Sequence, residues 1–161
     1  MKTASPHRTE PTIRLAKADE SRLLSALAFR SKAHWGYTAE FMEACRAELS
    51  VSAAYMNEHV TLVVELLGTV IGFYSLEPLS EEKVELGYLF VEPAEIGRGY
   101  GRRLVEHAKT RARRDGYRVL VIQGDPHAAA FYHACGAKHV GAKVSASIPG
   151  RMLPLLEIEL L

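Results

Sequence analysis

Cysteine is scarce in this chain: Cys45 and Cys135 are the only two among 161 residues, too few for a disulfide framework and suited to a reducing compartment. No run of about 18 apolar residues occurs and no secretory leader pattern is present, so neither a membrane span nor export is expected. An excess of one charge is missing too. Twenty Lys and Arg stand against 19 Asp and Glu, a formal net charge of +1, which argues against nucleic acid or an anionic membrane as partner. Internal repeats and low-complexity segments are absent, and no Gly-Lys-Ser/Thr follows any glycine-rich turn, which excludes a P-loop. With 48% hydrophobic and 24% charged residues at this length, the chain has material for one domain and no room for a second. We expect a cytoplasmic protein whose domain spans 12–161, preceded by a flexible arm over 1–11 that is polar, carries two prolines and lacks periodicity.

What is present centres on Val91 to Arg103, where an alternating apolar run breaks at Pro93 and restarts as a charged helix. Gly97, Gly99 and Gly101 fall at alternate positions in that break. Lacking Cβ atoms, they let the backbone take positive φ and turn its N–H groups toward one point, a nest for an anion. The free amides and dipole of a helix starting near Gly101 favour the same occupant, a phosphate. A dinucleotide-binding turn requires Gly-x-Gly-x-x-Gly, and the spacing here is Gly-x-Gly-x-Gly. Lys and Arg gather from Arg98 to Arg118 with only Glu106 and Asp115 between them, a pattern equally suited to a solvated helix face and to a polyanionic ligand.

Read in order, Thr12 to Ala16 forms a strand, and Asp19 caps a helix carrying Leu23, Leu24, Leu27 and Ala28 at helical spacing. An aromatic turn over Ala33 to Tyr37 follows, and Thr38 caps a second helix through Phe41, Met42, Cys45 and Leu49. His59 to Leu66 and Thr69 to Leu76 alternate as a hairpin about Leu67-Gly68. Lys83 to Val91 is a strand with Val84, Leu86, Tyr88 and Phe90 on one face and Glu85, Gly87, Leu89 and Val91 on the other. After the glycine loop, Leu104, Val105, Ala108 and Ala112 form the buried stripe of a helix ending at Asp115-Gly116. Tyr117 to Ile122 is apolar enough to be a core strand, and Asp125-Pro126 opens a helix through Ala134 that stops at Gly136. Lys138 to Ser147 and Met152 to Leu160 close the chain as a hairpin.

Two motifs in this order carry a resemblance. Ile96-Gly97-Arg98-Gly99-Tyr100-Gly101 resembles the pyrophosphate loop of the GNAT family of N-acetyltransferases, with Ile96 where that family has Gln or Arg. Asp125-Pro126-His127-Ala128-Ala129-Ala130-Phe131-Tyr132, followed by Gly136-Ala137, resembles its Asn-Ala-x-x-Phe-Tyr helix and Gly-Phe turn, with His127 and Ala137 as departures. The resemblance covers residues 12–160 and implies a single α/β domain with a mixed central sheet of about seven strands and helices on both faces. It implies acetyl-CoA as co-substrate, held by Leu89, Phe90 and Val91 along the pantetheine arm and by Gly97, Arg98, Gly99, Tyr100, Gly101 and Arg102 at the pyrophosphate. An amine of a small molecule or a peptide is then the acceptor. The acceptor site would lie at the turn between the first two helices, at His34, Trp35 and Tyr37; packed between helices, the same side chains make a hydrophobic plug. A homodimer is also implied, and the apolar strand Met152 to Leu160 suits one unless it pairs within its own sheet.

Acyl transfer from a thioester to an amine needs a proton acceptor for the ammonium and a donor for the departing sulfur. By resemblance, Glu85 holds the position of a general base, on the face that alternation assigns to Leu89; a glutamate on a strand is otherwise a solvated or salt-bridged group. Tyr132 follows an inward Phe131 by about 100° around its helix, and a phenol with a pKa of about 10 stays protonated at neutral pH. It is the candidate acid, or else a half-buried packing tyrosine. His133, Cys135 and His139 have a ligand-like spacing, but residues two apart on a helix point to different sides, so no metal is expected. A non-catalytic acyl-CoA sensor on the same fold would keep the glycine loop and lose this acid and base.

Overall fold

The computed structural model describes residues 10–161, so the first nine residues of the expected arm lie outside the described residues. Twelve regular elements follow in chain order: β1 (Thr12–Leu15), α1 (Ser21–Ala33), α2 (Ala39–Cys45), α3 (Ala53–Glu58), β2 (Val60–Leu66), β3 (Thr69–Pro78), β4 (Lys83–Val91), α4 (Tyr100–Arg114), β5 (Val119–Gln123), α5 (Ala129–Ala134), β6 (Lys138–Val144) and β7 (Met152–Glu159). The seven strands make one sheet in the order β1-β2-β3-β4-β5-β7-β6, with β4 and β5 parallel and every other neighbouring pair antiparallel. This is the mixed α/β architecture that the resemblance implies.

Strands buried on both faces have to be apolar on both, and the run Leu62, Val63, Val64 shows it: Leu62 and Val64 pack on one side of the sheet and Val63 on the other. The first side is covered by Leu104, Val105, Ala108 and Ala112 of α4 together with Tyr132 of α5. Against the second side pack Leu24, Leu27 and Ala28 of α1 and Met42 and Cys45 of α2. Helices therefore cover both faces. The β2–β3 hairpin turns on Leu67 (φ 52°) and Gly68 (φ 82°), a two-residue loop whose left-handed backbone matches the twist of its strands.

Several local expectations are corrected. Asp19 does not cap α1; it lies in a single turn over Ala18–Glu20, and Glu20 reaches back to accept from the Lys17 amide at 2.8 Å while pairing with Arg14. Thr38 does cap α2, accepting from Phe41 N–H at 3.1 Å, but that helix stops at Cys45. A third helix, α3, begins where Ser52 accepts from Tyr55 N–H at 3.0 Å. The strand Met152–Glu159 is flanked by β5 and β6, so it offers no edge for a second copy; the edge strands are β1 and β6. The hairpin that ends the chain is present, with β6 closing at Val144.

The largest correction concerns β4. Leu76 of β3 faces Leu86, yet Tyr74 faces Leu89, so Gly87 and Tyr88 together stand opposite the single residue Ser75. This bulge reverses the alternation halfway along the strand. Val84 and Leu86 pack with Leu89 and Val91 on the α4 side, whereas Tyr88 and Phe90 turn toward α1 and α2. Glu85 consequently shares its face with Tyr88 and Phe90 and not with Leu89.

Candidate active site

The parallel pairing of β4 with β5 runs from Lys83 opposite Val119 to Leu86 opposite Ile122 and stops there, while β4 itself continues to Val91. Beyond that point β5 stays with β7: Gln123 faces Leu155, and the Gly124 amide donates to Pro154 C=O at 3.1 Å. The sheet opens into a wedge. Which backbone groups face the wedge follows from the other side of β4, where Glu92 N–H donates to Ile71 C=O at 2.8 Å. In an antiparallel ladder bonded residues alternate, so Phe90 and Glu92 turn their N–H and C=O toward β3, and Leu89 and Val91 turn theirs into the gap. Polar backbone lining a gap needs a partner.

At the end of the wedge the chain makes a turn over Pro93–Glu95 and enters the glycine loop. Gly97 (φ 87°) and Gly99 (φ 89°) are left-handed, and a Cβ built on either would meet nothing within 4 Å, so both positions border open space; the Arg98 amide between them donates to Glu95 C=O at 3.4 Å. Gly99 is the N-cap of α4. Gly101 does not share the positive φ expected of all three. It lies inside α4, and a Cβ there would stand 3.2 Å from the Phe131 ring, so its role is to let α5 approach. Arg102 lines the cavity at this end; Arg98 does not line it and pairs with Glu95, which does, at 3.5 Å, and Tyr100 packs against the α4-side core.

The wedge, the loop and the start of α5 enclose one cavity of about 710 Å³. Glu85, Leu89, Phe90, Val91, Gly97, Gly99, Gly101, Arg102, Tyr132 and Trp35 line it. Tyr132 is 7% exposed, and its hydroxyl has no protein hydrogen-bond partner among the described residues. Burial first, then the neighbouring Cys135 and Asp125, push its phenol above the ordinary tyrosine value. It remains a proton donor throughout the neutral range. Strand backbone free of a partner at Leu89 and Val91, a left-handed glycine loop and a buried phenol along one gap fit a thioester carried on a pantetheine arm ending in phosphates.

Across the cavity the α1–α2 turn divides. Trp35, 42% exposed, stacks on His127 with ring centroids 5.2 Å apart and planes 11° apart. His34 is exposed beside it and does not reach the cavity. Tyr37 is drawn into a different network: its hydroxyl donates to Asp125 at 2.7 Å, accepts from Arg151 at 2.6 Å, and its ring stacks on Phe41 at 4.1 Å. Burial and the Asp125 carboxylate raise the Tyr37 phenol to about 12, against Arg151. Burial alone would raise Asp125 too, but His127 N–H, the Tyr37 hydroxyl, Lys32 and Arg151 hold it below the usual carboxylate value. This network ties the α1–α2 turn, the β5–α5 loop and the β6–β7 loop into one wall.

Glu85 lies on that side of the cavity with no hydrogen-bond or ion-pair partner among the described residues. Glu77, a residue the sequence reading missed, stands directly opposite it on β3. Glu77 and Glu48 line the cavity as well, and their only advance signal was position near strand and helix ends. His133 bonds through Nδ1 with Ala137 C=O at 3.1 Å, Cys135 is buried, and no group of three or more His, Cys, Asp or Glu suited to a metal occurs among the described residues.

The family model described as acetyltransferase (GNAT) family matches residues 24–137. No curated relative matches the chain by sequence. Among solved structures, a GCN5-related N-acetyltransferase from Rhodopseudomonas palustris superposes with a TM-score of 0.78 at 22% identity, over 95% of this chain and 98% of that one. The PaiA N-acetyltransferase from Thermoplasma acidophilum, in complex with coenzyme A, gives 0.75 at 20% identity, over 93% and 99%. The YncA protein of Salmonella typhimurium, with its cofactor acetyl-CoA, gives 0.68 at 23% identity, over 94% and 95%. No helix among the described residues is long and apolar enough to cross a membrane.

Proposed function

The chain belongs to the GNAT acetyltransferase family, and from that premise we propose that it is an acetyl-CoA-dependent N-acetyltransferase whose acceptor is a primary amine of a small molecule or peptide. The observation that carries this reading is the wedge, which aims the unpaired backbone of Leu89 and Val91 along a cavity that ends at the Gly97–Gly99 nest. When bound, acetyl-CoA supplies an acetyl group activated as a thioester. Leu89 and Val91 bond its amide-bearing arm as a neighbouring strand would. The amides from Gly97 to Arg102 and the N-terminus of α4 take the pyrophosphate. Glu85 receives the proton that the acceptor ammonium gives up before its lone pair can attack, and the Tyr132 Oη proton is available to the departing sulfur. His34 packs edge-on against Trp35 from the exposed side, and Tyr37 holds the Asp125–His127 segment on which Trp35 stacks. A buried tyrosine lining the cavity, its hydroxyl without a protein partner among the described residues, favours catalysis over mere acyl-CoA sensing.

Titration calorimetry with acetyl-CoA, followed by thiol release over a panel of amines, tests the reading. Gly99→Glu puts both a side chain and a negative charge at a left-handed position in the nest, and should weaken acetyl-CoA binding at least about 100-fold, the loss expected where charge repulsion adds to a strained backbone costing roughly 1–3 kcal/mol. Gly99→Ala carries the strain without the charge and should lose less. Unchanged affinity in Gly99→Glu would remove the loop from the site.

A further inference from the structure

Glu77 and Glu85 are registered opposite each other on neighbouring antiparallel strands, and like charges in that arrangement repel. The fold holds one of the two in place. Tyr55 Oη donates to Glu77 Oε2 at 2.7 Å and lies 2.8 Å from Ser75 Oγ, which in turn accepts from the Tyr88 amide at 2.9 Å. These three polar groups stand over Gly87, where a Cβ would collide with all of them. The bulge and the missing side chain at residue 87 therefore make the space in which Tyr55 clasps Glu77. Glu85 has no such clasp.

The charged groups around Glu85 are few. On its own strand Lys83 is taken by Glu157 of β7 at 3.0 Å. From β5 the facing residue is the apolar Val121, and the neutral Tyr55 of α3 bonds the neighbouring Glu77. Glu48 lines the same cavity with its carboxylate accepting from the Ser147 hydroxyl, and Lys32 of α1 is paired with Asp125. That leaves Glu77 and, opposing it, Lys143 of β6. Burial raises the Glu85 carboxyl, Glu77 raises it further, and Lys143 lowers it.

We propose that Glu77 is a positioning residue for acetyl transfer: clasped by Tyr55 beside Glu85, its negative charge keeps Glu85 basic enough to take the acceptor's proton. The proposal rests on the acetyltransferase reading. In the step concerned the ammonium N–H bond breaks, its electrons stay on nitrogen as the attacking lone pair, and the proton passes to a Glu85 carboxylate oxygen, which releases it to water.

Glutamate carboxyl titration by ¹³C NMR on the full chain, with the Glu85 resonance identified from its loss in Glu85→Gln, reads this without an acceptor. In Glu77→Gln the Glu85 midpoint should fall by about half a unit to two units, the effect of removing one like charge at this range. Glu77→Asp keeps the charge and should leave the midpoint near the parent's. Where Glu77→Gln does not fold, Glu77→Ala reads the same displacement. An unmoved midpoint in the neutral variants, or an equal displacement in Glu77→Asp, overturns the proposal. Calorimetry with acetyl-CoA on the same samples separates the two levels: binding with an unmoved midpoint sinks Glu77 alone, and no binding sinks the acetyltransferase reading with it.

Discussion

Replacing Tyr132 by Phe removes one oxygen from a ring that is otherwise held by its neighbours. That ring packs in the α4-side core and against Gly124, where a Cβ would already stand 3.1 Å from it. Because the hydroxyl has no protein partner among the described residues, its loss breaks no internal hydrogen bond and leaves no group unsatisfied. Folding stability should then change by less than about 1 kcal/mol, a Tm shift of at most roughly 2–4 °C for a chain of this size. Acetyl-CoA affinity should stay near the parent's. The rate should not: loss of a positioned proton donor costs about 10² to 10⁴, or roughly 3 to 5 kcal/mol of transition-state stabilisation. The pH dependence gives the sharper signature. Burial lifts the Tyr132 phenol above its ordinary value, so it stays protonated across the neutral and mildly alkaline range and its own titration does not enter the profile. A free thiol ionises near about 8.5, so the departing sulfur needs a proton less as pH rises through that value, and the defect should shrink in alkaline buffer. The assay is thiol release with the amine that the parent turns over fastest, from about pH 6 to about pH 9, a window that spans the thiol's titration. A Tyr132→Phe enzyme that matched the parent rate across that window would reduce Tyr132 to a packing residue.

Trp35→Ala removes an exposed ring stacked on His127, and should raise the acceptor's KM by about 2- to 10-fold, the worth of one aromatic pair, while leaving the KM of acetyl-CoA unchanged; equal effects on both substrates, read by steady-state kinetics, would return Trp35 to a packing role. Glu48, Glu77 and Glu85 line the cavity where the acceptor is proposed to sit, while Lys32 and Arg151 are committed to Asp125. Monoamines and diamines should therefore outperform α-amino acids, whose carboxylate would meet like charge, by at least about tenfold in kcat/KM, a difference of about 1.4 kcal/mol. Higher kcat/KM for α-amino acids in the thiol-release panel would refute that ordering.

Much of the fold and part of the site were legible in the residues because the signals were local. Leu104, Val105, Ala108 and Ala112 repeat at helical spacing and are the buried stripe of α4. Thr38 caps α2, Leu67-Gly68 makes the hairpin turn, and Gly97 and Gly99 take the left-handed backbone that glycine permits. Each depends on a few neighbouring residues, so composition and spacing carry it. The α3 helix was missed although Ser52 is an ordinary cap, because six residues are too short for hydrophobic periodicity to register.

Alternation assigned Glu85 to the face of Leu89, and nothing in Lys83 to Val91 reveals that Gly87 and Tyr88 share one partner on β3. A bulge is a property of two strands in register, so it is decided by what Ser75, Tyr55 and Glu77 need across the gap. The same holds for β7, which is apolar because it is flanked on both sides, and for Tyr37, which reads as an acceptor-site aromatic until Asp125 and Arg151, 88 and 114 residues away in sequence, claim its hydroxyl. By itself the sequence determined most of the elements, the two left-handed glycines of the loop and the place of Tyr132 on α5, since these rest on backbone freedom and helical periodicity within short segments. Tertiary structure alone decided that Glu85 lines the cavity and that Glu77 stands beside it, because pairing register and cross-strand space exist only once distant segments have met.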